Sequence, residues 1–238
     1  LSALCVPQQM TPSAPIAQGP GEAKGPTLPL TGTTLPDFEK LRTNLVSAGS
    51  RFIGRQAELA RLDELVAARA RMITLLGPAG AGKTRLAREF GLSQGVLFAG
   101  GVWFVDLAEA TGVEGMCTAV AQALQVPVGG SDPVTRLGYA IAGRGPTLVL
   151  IDNFEHIVDA ASPIIAQWST MAPDATFLIT SRERLRLDGE TVVDVDLQPR
   201  TDAIRLFESR AQDVSPQFTV NAENEGAVGQ IVDRLDRL

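Results

Sequence analysis

The stretch Gly77-Pro78-Ala79-Gly80-Ala81-Gly82-Lys83-Thr84 satisfies G-x-x-x-x-G-K-[ST], the Walker A phosphate-loop pattern, and its flanks decide how the chain folds. Before it, Met72-Ile73-Thr74-Leu75-Leu76 has the length and composition of a buried strand. After it, Thr84-Arg85-Leu86-Ala87-Arg88-Glu89-Phe90 has the pattern of a helix's first turns. A strand, a glycine-rich turn and a helix N-terminus in that order make an anion site. The glycines let consecutive N–H groups curl inward, and the helix adds the positive end of its dipole. In such a site Lys83 would reach the β- and γ-phosphates of a nucleotide and the Thr84 hydroxyl would ligate Mg²⁺. A plain glycine-rich turn ahead of a helix is the alternative, and the matching flanks weigh against it.

Outward from this loop, strand and helix patterns alternate. Leu59, Leu62, Leu65 and Val66 stripe a helix from Gln56 to about Ala70. Gly101–Asp106, Thr147–Asp152, Thr176–Thr180 and Thr191–Val195 are further strand candidates. Between them lie a helix from Val113 to about Gln125, closed by Pro127 and Gly129-Gly130, and one opened by Asp132-Pro133. A third is striped by Ile157, Val158, Ala161, Ile164, Ile165 and Trp168, and Pro163 should kink it. Helices over Thr201–Ala211 and Glu225–Leu238 complete the pattern. Short apolar strands alternating with helices predict an α/β protein, a parallel sheet with helices on both faces.

Composition sets bounds. Of 238 residues 45% are hydrophobic, enough for a packed core. No apolar stretch has the length to cross a bilayer, so no membrane role is expected. Two cysteines, Cys5 and Cys117, form neither a disulfide framework nor a metal-ligand pattern, which points to the cytoplasm. A net charge of −6 argues against direct nucleic-acid contact by this segment, and one histidine, His156, leaves little material for histidine-based catalysis. Seven of the 15 prolines fall within residues 1–36, where Glu22 and Lys24 are the only charges. Residues 1–50 are therefore expected to be a disordered linker and 51–238 a nucleotide-binding domain. The chain starts at Leu1 and stops inside a helical pattern, as a piece of a larger protein would.

Two further anchors sit at strand ends. Leu148-Val149-Leu150-Ile151-Asp152 is a Walker B pattern, whose acid would join the Mg²⁺ shell; a buried strand ending in a capping Asp is the bland alternative. Hydrolysis also needs a group to orient or deprotonate water, and Asn153 stands where an acid often follows. Glu155 is the nearest substitute, or simply a first-turn Glu favoured by the helix dipole, and His156 carries the same ambiguity with a weaker case. Arg182, after Thr180-Ser181, could sense a γ-phosphate; a solvated loop arginine is the alternative, since Arg184 and Arg186 follow.

Together with Phe52-Ile53-Gly54-Arg55, these anchors resemble the STAND-class NTPase domain of large bacterial LuxR-type and antibiotic-regulator-type activators. The carrying string runs F-I-G-R, G-P-x-G-x-G-K-T-R-L-A, V-W-F-V-D-L-A, L-V-L-I-D-N-x-E-H and T-S-R-E-x-L-R-L-x-G-E, over about Phe52 to Leu238. More distantly it is similar to apoptotic and plant disease-resistance ATPases. The resemblance implies a three-layer P-loop NTPase fold of the AAA-like branch, with five parallel strands in order 5-1-4-3-2. It implies ATP or ADP with Mg²⁺. By position Ile53, Gly54 and Arg55 would contact the adenine and ribose side. Gly77, Pro78, Ala79, Gly80, Ala81, Gly82, Lys83, Thr84 and Arg85 would form the cofactor-binding loop, Thr84 and Asp152 the metal site. Lys83, Asp152, Glu155 and Arg182 would be the catalytic set.

The resemblance further implies a switch. ADP holds a closed monomer, and ATP releases it to self-associate and drive an effector domain outside this chain. The family continues into a helical lid whose proline is due just past Leu238. Phe154 replaces an expected small residue and Asp188 a common Pro, both expected in loops near the site. Two other functions stay open: a P-loop phosphotransferase acting on a small molecule, and a nucleotide-stabilised scaffold that does not hydrolyse, which Asn153 keeps alive.

Overall fold

Five short β-rich segments pair in parallel: β1 Met72–Leu76, β2 Gly101–Asp106, β3 Thr147–Asp152, β4 Ala175–Ser181 and β5 Glu190–Asp194. A computed structural model describes residues 42–127 and 131–235. The strands form one sheet in the order β2-β3-β4-β1-β5, the expected order counted from the other edge. Most of the linker expectation, the Gly129-Gly130 turn and the last three residues of the final helix lie outside the described residues.

The sheet is a middle layer because its strands are apolar on both faces. Side chains alternate with period two. Leu148 and Leu150 of β3 join Ile73, Leu75 and Leu178 in one core, and Val149 and Ile151 join Phe177 and Ile179 in the other. Helix α1 (Gln56–Ala67) and helix α2 (Lys83–Gln94) cover the first face through Leu62, Leu65, Leu86, Ala87 and Phe90. Helices α3 (Gly112–Leu124), α4 (Pro133–Ala142) and α5 (Val158–Met171) cover the second. The stripe read from the sequence on α3 is the buried one: Met116, Cys117, Val120 and Leu124. Asp132 caps α4 as expected, its carboxylate accepting from the Thr135 N–H at 3.1 Å, with Pro133 in the first turn. Pro163 is accommodated inside α5.

Several boundaries differ from expectation. Helix α1 stops at Ala67, because Arg69 turns left-handed at φ 58°. Strand β5 starts one residue early, where the Glu190 carboxylate accepts from the Leu185 and Arg186 N–H groups at 3.0 and 2.9 Å. Residues 42–45 depart from the linker expectation. Thr43 bridges to Val102, Leu45 is buried, and the Asn44 amide pairs with both backbone groups of Phe104 at 2.7 Å. A side-chain amide there substitutes for a strand's own backbone and covers the β2 edge. Helix α6 (Arg200–Val214) and helix α7 (Glu225–Arg234) pack on each other over Ala203, Val228 and Val232. Among the described residues no helix is long and apolar enough to cross a membrane.

Phe154 and Asp188 are not residues of a site loop. Phe154 is wholly buried in the second core, as part of a one-turn 3-10 helix over Phe154–His156. Asp188 precedes β5, whose first residue pairs with Met72, so it lies at the amino edge of the sheet, opposite the phosphate loop.

Candidate functional site

Because every strand runs the same way, Leu76, Asp106, Asp152, Ser181 and Asp194 end on one edge, and the Gly77–Thr84 loop leaves it from β1, between β4 and β5. Ligands of open α/β sheets collect at such an edge. The loop begins where the Gly77 N–H donates to the Ser181 carbonyl at 3.3 Å. A β-carbon on Gly77 would stand 2.2 Å from the Val195 carbonyl oxygen, so only glycine fits between β1 and the chain after β5. Gly80 and Gly82 take φ of 79° and 85°, which turn the loop into the start of α2. A β-carbon on Gly82 would meet nothing within 4 Å, so the hollow in front of that turn is open.

Lys83 and Asp152 are both buried polar residues of this edge. The Lys83 ammonium folds back on the loop, donating to the Gly77 and Pro78 carbonyls at 2.8 Å each. Burial lowers its pKa, while Glu155 and Asp152 pull the other way and Arg182 adds to the lowering. Asp152 is held from three directions. The Thr84 hydroxyl lies 2.8 and 2.9 Å from its two oxygens, the Thr180 hydroxyl donates at 2.5 Å, and the Asn153 amide donates at 3.2 Å. Burial nevertheless raises the Asp152 pKa, the two hydroxyls lower it, and Asp106 and Glu155 raise it further.

Asn153, in left-handed conformation at φ 61°, also donates its amide to Asp106 Oδ1 at 3.0 Å, and its N–H donates to the Thr180 hydroxyl at 3.2 Å. Glu155 and Arg182 meet in an ion pair of 2.8 Å; Arg182 is 60% exposed and Glu155 20%. The other Glu155 oxygen is buried without a hydrogen bond among the described residues. His156 points away from this cluster, its Nε2 2.9 Å from the Ala110 carbonyl in the loop after β2.

Arg55 is a tie within the protein. It is 6% exposed, and its guanidinium donates to the Ala81 carbonyl at 2.8 Å, the Asp196 carbonyl at 2.6 Å and Glu58 at 2.6 Å. Arg85 likewise holds the segment before Phe52, donating to the Ser50 carbonyl at 2.6 Å with its guanidinium 5.9 Å from the Phe52 ring. Phe52, Ile53, Arg55, Gly80, Ala81, Gly82 and Arg85 line a cleft of about 200 Å³, closed on the other side by Gln198, Leu206 and Arg210.

The edge therefore brings together Lys83, Thr84, Asp152, Glu155 and Arg182, with Ile53, Arg55 and Arg85 along the adjoining cleft. Gly54, at φ 75°, lies beside the Asp202 carboxylate of α6. The sequence alone gives no role to Asp106, Thr180, Gln198, Leu206 or Arg210. Asp106 was legible in principle, since it closes an apolar strand as Asp152 does. Nothing in the local pattern of α6 marks Leu206 or Arg210; only the packing of that helix does.

The AAA domain model matches residues 66–187. An uncharacterised protein of Mycobacterium tuberculosis is 38% identical over 188 residues, 78% of this chain and 47% of its own length. The chain thus spans about half of that relative. A second M. tuberculosis protein, provisionally named an HTH-type transcriptional regulator, is 37% identical over 168 residues, 70% of this chain and 19% of its own length. Among solved structures, a Signal Transduction ATPase with Numerous Domains carrying a tetratricopeptide repeat sensor, from Pyrococcus horikoshii, superposes with a TM-score of 0.51. It is 16% identical and aligns with 76% of this chain and 28% of its own, a likeness of fold alone.

Proposed function

The chain belongs to the AAA domain family, and from that premise we propose that it is the nucleotide-dependent switch of a larger cytoplasmic regulatory protein. It binds ATP or ADP with Mg²⁺, hydrolyses ATP slowly, and reports which nucleotide it holds to an effector outside this chain. The loop N–H groups and Lys83 take the phosphates, and the cleft beside Ile53 takes the base. Thr84 and Asp152 fit Mg²⁺: both offer hard oxygen donors within 2.9 Å of one another, and the ion takes few protein ligands besides phosphate and water. Bound there, Mg²⁺ would offset charge developing on the phosphate oxygens.

The observation that carries this reading is the 2.8 Å pair between Arg182 and Glu155, beside Lys83 and Asp152. A γ-phosphate that draws Arg182 toward it must break that pair, and ADP has no such group. Only a contact that differs between the two nucleotides can shift a two-state equilibrium, and Arg182 supplies one. The regulator relative supports a transcriptional setting, in which a net charge of −6 leaves nucleic-acid contact to other segments.

The test is phosphate release with and without Mg²⁺, alongside light scattering of the intact protein in ATP and in ADP. Slow Mg²⁺-dependent turnover and a larger mass in ATP are expected. An equal mass in both nucleotides with no turnover would remove the switch. Nucleotide consumption accelerated by a small-molecule acceptor would point to a phosphotransferase instead.

A further inference from the structure

Hydrolysis needs a group that orients the attacking water and takes its proton. We propose that this group is Asp106, at the end of β2, an inference that rests on the ATPase reading above. Three carboxylates stand at or just after the ends of β2 and β3 on the carboxyl edge, while Asp194 ends β5 at the opposite side of the sheet. Asp152 already accepts from Thr84, Thr180 and Asn153, and is the one suited to the metal. Glu155 spends one oxygen on Arg182 at 2.8 Å, and its other oxygen is buried, so a γ-phosphate that draws Arg182 away frees only the first. Asp106 is the one of the three that is exposed and keeps an oxygen clear of protein donors among the described residues. It pairs in register with Asp152, so the two backbones lie about 4.8 Å apart.

Asp106 is exposed, and both of its hydrogen bonds fall on one oxygen. Oδ1 accepts the Asn153 amide at 3.0 Å and the Ala108 N–H at 2.9 Å. Oδ2 has no protein donor among the described residues and is open to water. Asn153 cannot accept a proton as a carboxylate does, yet its one amide donates to Asp106 and Asp152 together. It sets a water-binding carboxylate beside the metal-binding one, so Asn153 is a positioning residue and Asp106 the base.

The step balances. A lone pair of the water oxygen forms a bond to the γ-phosphorus as the water's proton passes to Asp106 Oδ2. The bond from the γ-phosphorus to the β,γ-bridging oxygen breaks, and its electron pair leaves with ADP. Asp106 then returns the proton to solvent, with inorganic phosphate as the second product.

The experiment compares the full chain with Asp106→Asn and Asp106→Ala in phosphate release under Mg²⁺-ATP, with ATP affinity by calorimetry and melting temperature measured on the same preparations. The expected result is turnover reduced about a hundredfold or more in both variants, the range for loss of a general base. ATP affinity should stay within about twofold of the wild type, and the melting curve should be little changed. Turnover at the wild-type rate in Asp106→Asn would overturn the assignment and leave the ATPase reading standing. Turnover and ATP affinity lost together would make Asp106 a structural residue and overturn it equally. Absence of turnover in the wild type would remove the hydrolytic reading itself, and the inference with it.

Discussion

Replacing Arg55 by Ala should destabilise the protein before any nucleotide is added. By position the residue resembles a nucleotide contact, but its guanidinium is committed elsewhere. It joins the phosphate loop at the Ala81 carbonyl, the chain after β5 at the Asp196 carbonyl, and the first turn of α1 at Glu58. Hydrogen bonds to a charged donor are worth about 1.5–3 kcal/mol each, so the two carbonyl contacts account for about 3–6 kcal/mol. Glu58 is 21% exposed and regains water, so its pair adds at most a fraction of a kilocalorie. For a chain of this size about 3–6 kcal/mol lowers the melting temperature by about 6–24 °C. Urea unfolding of the nucleotide-free protein, with the slope checked for constancy, measures the loss directly. Arg55→Lys should recover about half of it, because an ammonium keeps the charge but lacks the planar fork that reaches Glu58 from one nitrogen and the two carbonyls from the other. A nucleotide-free Arg55→Ala protein as stable as wild type, with weakened ATP binding, would refute the clamp and return Arg55 to the ligand.

Lys83→Ala should weaken ATP by about tenfold to a hundredfold in calorimetry, one charge-assisted contact, with a smaller effect on folding. Equal affinity would remove the phosphate loop from binding. Arg182→Ala should lower the ratio of ATP to ADP affinity by about tenfold, and an unchanged ratio would make it a plain loop arginine. Asp152 predicts a pH dependence. Burial raises its folded pKa above the ordinary 3.8, so its contribution to stability is complete below that value and is lost as pH rises through the folded value. Asp152→Asn, measured without nucleotide, should therefore melt above wild type at neutral pH and lose that advantage below about pH 3.8. It should also abolish the part of ATP-induced stabilisation that depends on Mg²⁺. A variant that melts lower at pH 7 and still responds to Mg²⁺ would contradict both the burial cost and the metal role.

The order across the sheet was implied only by the family resemblance; the sequence by itself determined the parallel strands and the place of the phosphate loop. A buried parallel strand is apolar at every position, and a phosphate loop is a contiguous run of eight residues, so both are written in local pattern. Thr84 and Asp152 are legible for the same reason: one closes the phosphate-loop motif and the other closes its own strand. What the tertiary structure decided are relations between segments far apart in the chain. Arg55 proved to be a clamp because Asp196, 141 residues away, presents its carbonyl there. Glu155 and Arg182 are separate catalytic candidates in the sequence, and the adjacency of β3 and β4 in the sheet joins them in one ion pair. Asp106 and Asn153 are 47 residues apart, and only the pairing of β2 with β3 puts the amide of one on the carboxylate of the other. Side chains of a strand end or a loop take their roles from whichever neighbour the sheet order supplies, and that order is satisfied only when the whole sheet has formed.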